Sequence, residues 1–235
     1  TSSMFKLELP AHLRALFGKD PFAEIMQLQG KIYRDVTGRR TMQVNLGGNS
    51  YFVKQHFGVG WAEIFKSLLS FKKPVLGAQT EVDAIRKLGD IGIATTPLVG
   101  YGVSGSNPAT QQSFVITQDL GEIVSLEDLC ADWKNNPPEA EFKRSLIVAL
   151  AKLAARLHGA GLCHRDFYLC HFVLKKAELT QGKTNLILID LHRMLAGQAS
   201  AGSAVMKDIA GLYFSSMDCG FTSEDWALFR QHYLP

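Results

Sequence analysis

With 235 residues, 46% of them hydrophobic and 20% charged, the chain is long enough to bury a substantial core and lacks the composition of a disordered tail. Its formal charge of +3 is too small to argue for nucleic acid, so no nucleic-acid partner is expected, although local basic clusters can still favour phosphate. No run approaches the roughly 18 apolar residues of a membrane span.

Met4 to Leu16 mixes Lys6, Glu8, Pro10, His12 and Arg14 with short apolar groups and does not read as a signal peptide. From Lys31 to His56 the pattern is of strands and tight turns: Ile32, Tyr33 and Val36 lead into Gly38-Arg39, then Met42, Val44 and Leu46 alternate. Gly47-Gly48-Asn49 turns again into Tyr51-Phe52-Val53-Lys54. That predicts a three-stranded antiparallel meander.

Trp61, Ile64, Phe65, Leu68 and Leu69 then fall at helical spacing. A second helix is predicted from Thr80 to Leu88, after the Lys73-Pro74 break. Strands are predicted at Pro97–Val103 and Ser113–Leu120. Past Gly121 helices dominate, one short at Leu126–Trp133 and one long at Pro138–His158, the latter broken for membrane purposes by Lys152 and Arg156. Phe172–Leu174 and Leu186–Ile189 read as a short strand pair, and the chain from Val205 onward as helical. Strands first and helices second predict an α+β chain with an N-terminal lobe over 1–120 and a C-terminal lobe over 121–235.

His164-Arg165-Asp166 follows the long helix and the turn Gly159-Ala160-Gly161, and Asp190 ends the apolar strand Leu186–Ile189. Protein-kinase-like catalytic loops and their metal-binding aspartates are laid out this way. Phosphoryl transfer needs one carboxylate to orient the acceptor hydroxyl and take its proton, and another to hold Mg²⁺ on the phosphates. Asp166 suits the first role and Asp190 the second. Upstream, Lys54 closes a strand where kinases keep the lysine that touches the α- and β-phosphates, and Glu81 opens a helix from which it can pair with Lys54. A bilobal protein-kinase-like fold using ATP and Mg²⁺ is therefore expected.

Two features depart from protein kinases. The turn Val36 to Thr41 holds a single glycine, Gly38, so Arg39, Arg40, Thr41 and local backbone N–H groups either contact phosphate or stay exposed. The asparagine expected after the catalytic aspartate is His171, which binds the metal, orients Asp166 or simply packs. Adenine is expected against the connection Thr117–Leu120, through backbone contacts at Gln118 and Leu120. Asp208 is read as starting a helix, where it either braces the catalytic loop or only favours the helix dipole. Little chain follows Asp190 and no Ala-Pro-Glu motif occurs, so a small acceptor is favoured over a protein substrate. The four cysteines are expected reduced, and zinc at Cys163-His164 or Cys170-His171 is disfavoured.

The chain resembles the lipopolysaccharide core heptose kinases of the WaaP/RfaP type. The matching residues are Gly38-Arg-Arg-Thr41, Tyr51-Phe-Val-Lys-Gln-His56, Gly58-Val-Gly-Trp-Ala-Glu63, Pro74-Val-Leu-Gly-Ala78, His164-Arg-Asp-Phe-Tyr-Leu-Cys-His-Phe172, Ile189-Asp-Leu-His-Arg193 and Lys207-Asp-Ile-Ala-Gly-Leu-Tyr-Phe214. The resemblance implies ATP-dependent phosphorylation of an inner-core heptose on lipid A-core, by a cytoplasmic protein peripheral to the inner face of the bacterial inner membrane. It implies histidine as the usual residue at position 171, and association with an acyl carrier protein by resemblance alone. Two alternatives stand beside it: another small-molecule kinase, of the Kdo kinase or aminoglycoside phosphotransferase type, and a nucleotide-binding pseudokinase. The segment Gly58 to Lys73, whose apolar stripe is flanked by Lys66, Lys72 and Lys73, is expected to pack on the sheet, with an anionic membrane surface as the other reading.

Overall fold

The structure is a computed structural model that describes residues 4–58, 60–69, 77–194 and 201–234. It divides into two compact units, one formed by Thr1–Ile85 with Thr96–Asp119 and the other by Arg86–Thr95 with Leu120–Pro235.

The first unit is built on a six-stranded antiparallel sheet. Its strands are β1 (Phe5–Glu8), β2 (Lys31–Val36), β3 (Arg39–Leu46), β4 (Asn49–His56), β5 (Leu98–Ser104) and β6 (Gln112–Gln118). They lie in the order β1-β5-β6-β4-β3-β2. The meander predicted over Lys31–His56 is β2-β3-β4. Ser113 to Thr117 of β6 are all buried because both faces of the sheet are covered there. Phe114 and Ile116 join Met42, Val44 and Val53 on one face, against Leu13, Phe22, Ile25 and Met26. Val115 points the other way, to Tyr101, Val103, Ala78 and Val82.

The N-terminal segment has more structure than its composition announced. Residues 5–8 add an edge strand, and α1 (Ala11–Arg14) and α2 (Pro21–Met26) supply Leu13, Phe22, Ile25 and Met26 to the core. Pro10 and Pro21 hid these short helices, although Pro21 sits at a first-turn position where it needs no N–H partner and Asp20 accepts from the Ala23 N–H at 3.1 Å. Gly102 lets Phe22 and Phe114 approach: a Cβ there would lie 2.5 Å from Phe114 Cε1 and 2.9 Å from Phe22 Cδ2. The helix α3 (Gly60–Leu69) is where predicted, but its packing is not. Of its apolar stripe only Ile64 is buried, whereas Trp61 is 50% exposed and Leu69 82%. One face of the sheet is already filled by α1 and α2 and the other by Val82 of α4 (Gln79–Asp90). Phe71, Lys72, Lys73 and Pro74 lie outside the described residues.

The second unit is mainly helical: α5 (Leu126–Cys130), α6 (Ala140–Gly159), α7 (Lys176–Leu179), α8 (Ala201–Ser216) and α9 (Ser223–Tyr233). A small sheet β7-β8-β9 joins Ile123–Ser125, Phe172–Lys175 and Ile187–Leu188. Along α6 the buried residues Leu146, Ile147, Leu150, Ala151, Ala154 and Leu157 form one stripe. Lys143 of α6 ties to Asp225 of α9 at 2.8 Å, and Asp225 also closes a capping box with Thr222. Among the described residues no helix is long and apolar enough to cross a membrane.

Candidate active site

In the first unit β4 delivers Lys54. Its register partners are Thr41 on β3 and Val115 on β6, so Thr41 and Lys54 share one face of the sheet. Lys54 Nζ meets Glu81 Oε1 at 2.7 Å. Glu81 lies in the first turn of α4 and is almost buried, whereas 31% of the Lys54 side chain remains exposed. A buried carboxylate thus holds an ammonium whose remaining donors are open to a ligand.

Gly38 makes the turn between β2 and β3 with φ of 79°, a left-handed conformation natural to glycine. Its carbonyl accepts from the Phe57 N–H at 2.8 Å. Arg40 is engaged within the fold: its Nε lies 3.7 Å from Asp35 and its guanidinium 5.6 Å from the Phe57 ring. Arg39 faces His56 across β3-β4. Gln118 ends β6, and its N–H donates to the Pro97 carbonyl at 3.0 Å; Leu120 belongs to the second unit. Between them Asp119, which the sequence did not single out, accepts from Gln43 Nε2 at 2.6 Å and Ser50 Oγ at 2.7 Å.

The second unit gathers Asp166, His171 and Asp190. The loop that carries Asp166 has irregular backbone, with Arg165 at φ 73°, and Asp190 sits at φ 62°. Left-handed geometry costs a non-glycine residue about 1 kcal/mol or more and persists only where neighbours impose it. Asp208 is such a neighbour. Its Oδ2 accepts the His164 N–H at 2.8 Å and its Oδ1 the Arg165 N–H at 2.9 Å. His158 Nε2 lies 2.8 Å from the same carboxylate, and His158 Nδ1 lies 2.7 Å from the Tyr233 hydroxyl. Burial, then the charge of Asp208, pushes the Tyr233 phenol pKa upward, so the hydroxyl keeps its proton.

Asp208 does not start a helix, as its sequence neighbourhood suggested. It lies in the middle of α8, which begins at Ala201, so the dipole at a helix end plays no part and the bracing role is the one its hydrogen bonds show. His158 and Tyr233 escaped the sequence reading, since each stands in an ordinary amphipathic helix. The Sγ of Cys163 lies within 4.8 Å of donor atoms on His158 and Asp208, the one such three-residue cluster among the described residues. His158 and Asp208 there are committed to hydrogen bonds, so the trio reads as a brace.

His164 is buried, which lowers its pKa; it is neutral. Its Nε2 donates to the Ile189 carbonyl at 2.9 Å while Nδ1 accepts the Asp166 N–H at 3.2 Å. One imidazole therefore ties the Asp166 loop to the residue before Asp190. Asp166 Oδ1 accepts from Arg193 Nη1 at 2.9 Å. His171 Nδ1 donates to the Asp166 carbonyl at 2.6 Å, which turns Nε2 toward Asp190 Oδ2 at 3.0 Å. His192 Nδ1 takes the other Asp190 oxygen. Burial works against the Asp190 charge, yet the hydrogen bonds from His171 and His192 hold its carboxyl well below the usual range. His171 moves oppositely: burial disfavours its charge, and Asp190 and Asp166 more than offset it. His192 and Arg193 stand inside the motif Ile189–Arg193, the signal from which their roles were available.

The donor set suits a divalent cation. An ionised carboxylate and an imidazole nitrogen face each other, and the far ring nitrogen is fixed by a backbone carbonyl, as metal-binding histidines commonly donate their other ring N–H. Either a proton on Nε2 or a cation resolves that facing pair, and Asp190 with His171 could hold the cation.

A profile of the lipopolysaccharide kinase (Kdo/WaaP) family matches residues 23–233. The chain belongs to this family. It is 45% identical to the lipopolysaccharide core heptose(I) kinase WaaP of Pseudomonas aeruginosa, over 92% of this chain and 81% of that one. To the WaaP kinase of Escherichia coli K12 it is 44% identical over 97% of this chain and 87% of that one. Among solved structures, WaaP in complex with acyl carrier protein matches with a TM-score of 0.81 at 39% identity, covering 97% of this chain and 88% of that chain. The expected α+β class and the family resemblance both hold. As a member of the Kdo/WaaP kinase family the protein is a phosphotransferase that uses ATP.

Proposed function

We infer that the protein transfers the γ-phosphoryl group of ATP to a heptose hydroxyl of the lipopolysaccharide core. One observation carries this reading. His171 links the Asp166 backbone to the Asp190 carboxylate, through Nδ1 at 2.6 Å and Nε2 at 3.0 Å, in a chain close to two core heptose(I) kinases. The same identity favours heptose over the other small acceptors considered.

Asp166 takes the proton of the acceptor hydroxyl as its oxygen bonds to the γ-phosphorus. The bond from that phosphorus to the β,γ-bridging oxygen breaks, and ADP leaves. Arg193 keeps the Asp166 carboxylate aimed. Bound Mg²⁺ supplies charge neutralisation on the phosphate oxygens, and Asp190 with His171 would hold it. Lys54, held by Glu81, contacts the α- and β-phosphates; Gly38, Arg39, Arg40 and Thr41 are assigned to phosphate contact, and Gln118 and Leu120 to adenine. Residues 1–120 then serve as the nucleotide lobe and 121–235 as the catalytic lobe.

The acceptor is lipid-anchored, which places the protein at the cytoplasmic face of the inner membrane as a peripheral protein. The exposed Trp61, Phe65, Leu68 and Leu69 of α3, beside Lys66, support contact with an anionic surface. Association with an acyl carrier protein is carried over from the structural relative. The deciding experiment supplies MgATP and dephosphorylated core lipopolysaccharide and locates new phosphate by mass spectrometry. Phosphate on heptose is expected, and Asp166→Ala is expected to cut transfer by about a thousandfold or more with the fold retained. Undiminished turnover in that variant would remove Asp166 from the mechanism.

A further inference from the structure

The catalytic loop alternates in an informative way. Phe167 and Leu169 are each 1% exposed and fill the core, while Tyr168 between them is 41% exposed. An outward aromatic in a loop is unremarkable if it is free to move, but this one is fixed. Its backbone N–H donates to the Asp166 carbonyl at 2.8 Å, and its own carbonyl accepts from the His171 N–H at 3.0 Å. The next amide, Leu169 N–H, donates to Ser215 Oγ of α8 at 3.0 Å. Its ring rests on α8 where Gly211 leaves room: a Cβ at 211 would lie 2.9 Å from Tyr168 Cε1 and 3.3 Å from Cδ1. The ring centre is 6.1 Å from that of His171, whose Nε2 touches Asp190.

We propose that Tyr168 is the stacking platform for the sugar ring of the acceptor, with Gly211 as the residue that lets the ring lie in place. The reasoning rests on the kinase reading above and adds the residue that holds the acceptor. A pyranose presents one face of C–H groups, which packs on an aromatic face; the tyrosine offers a large rigid surface with little rotamer entropy to lose. The ring is two residues from the carboxylate that receives the hydroxyl proton and one imidazole away from the carboxylate assigned to the cation. Phe214, exposed and three residues after Gly211, shares that side of α8 and widens the apolar surface. A side chain kept only for packing would be expected to bury itself as Phe167 and Leu169 do, and would not need a glycine opposite.

The test is steady-state kinetics of the full chain with a dephosphorylated, lipid-free core oligosaccharide and MgATP, each varied in turn. Tyr168→Leu is expected to raise the KM for the oligosaccharide about tenfold, with kcat and the KM for ATP little moved; Tyr168→Phe keeps the ring and should restore the acceptor KM to within about twofold of the wild type. Gly211→Ala displaces the ring from the helix side and should raise the acceptor KM in the same direction. An acceptor KM within about twofold of wild type in both Tyr168→Leu and Gly211→Ala would overturn the platform while leaving the kinase reading intact. A fall in kcat alone, unrescued by phenylalanine, would also overturn it. Failure of the wild-type protein to phosphorylate either this oligosaccharide or dephosphorylated lipid-anchored core lipopolysaccharide would overturn both readings together.

Discussion

The two units hold their charged residues by different means. In the first, Lys54 stands on a regular strand and Glu81 on a regular helix, and a single 2.7 Å ion pair joins them. In the second, Asp166 and Asp190 stand on irregular backbone, with two non-glycine residues in left-handed geometry, and the fold commits Asp208, His158 and Tyr233 to holding it. Regular elements satisfy their own backbone groups and need only a side-chain partner. An irregular loop leaves N–H groups unpaired, and a buried carboxylate from elsewhere must take them. The two regions should therefore fail differently when cut.

The largest effect is expected at Asp190. Asp190→Asn should lower kcat by about a thousandfold, and chelation of divalent ions should mimic it, because the amide offers one neutral oxygen where the carboxylate offers charge. A variant still near wild-type turnover would break the assignment of the second unit. Next comes Asp208→Ala, which should cost about 3 kcal/mol of stability as well as activity, since two loop N–H groups and His158 lose one partner. Urea unfolding followed by fluorescence measures it. A variant that loses activity without losing stability would show that the brace serves chemistry alone.

Glu81→Gln tests the other region. It should leave unfolding within about 1 kcal/mol of wild type while lowering kcat/KM about tenfold, because the amide of the same shape keeps a hydrogen bond to Lys54, whose ammonium stays partly exposed to water. A collapse in stability here would erase the contrast between the units. The smallest effect concerns Cys130, buried in the second unit, whose thiol is pushed up to about 12, chiefly by burial and then by Cys219, against the pull of Lys143. Because the folded pKa lies above the unfolded value of about 8.5, the thiol contributes stability that is present below that pH and is lost above it. Alkylation at pH 8 should reach Cys170, which is half-buried, well before Cys130, and Asp208→Ala should narrow the gap.

Much of this was legible in the sequence because it was carried by local order. The meander, both strand pairs and the long α6 follow from alternation and helical spacing. Lys54, Glu81, Asp166 and Asp190 follow from their order along those elements. What was hidden was whatever depends on chain segments meeting. The first strand has four residues and α1 four, too short for periodicity to register, and their role emerges only when β5 offers an edge and Phe114 a partner. Asp208 stands mid-helix and not at a helix start, because α8 begins among small residues, Ala201-Gly202-Ser203, that lack helical pattern. His158 and Tyr233 carry no sequence mark of contact, separated as they are by most of the second unit. For α3 the helical spacing holds, yet its stripe stays exposed apart from Ile64: spacing says which face is apolar, not what that face packs against.

The amides of His164 and Arg165 are built-in reporters. Both donate to one carboxylate that belongs to α8, and that carboxylate is steadied in turn by His158 of α6, which Tyr233 of α9 holds from the other side. Their hydrogen-exchange rates and proton chemical shifts will register any loosening of these helices as a change at the catalytic loop itself. Two resonances can thus follow, without an activity assay, how a bound nucleotide, a sugar or a distant substitution is felt at the loop that carries Asp166.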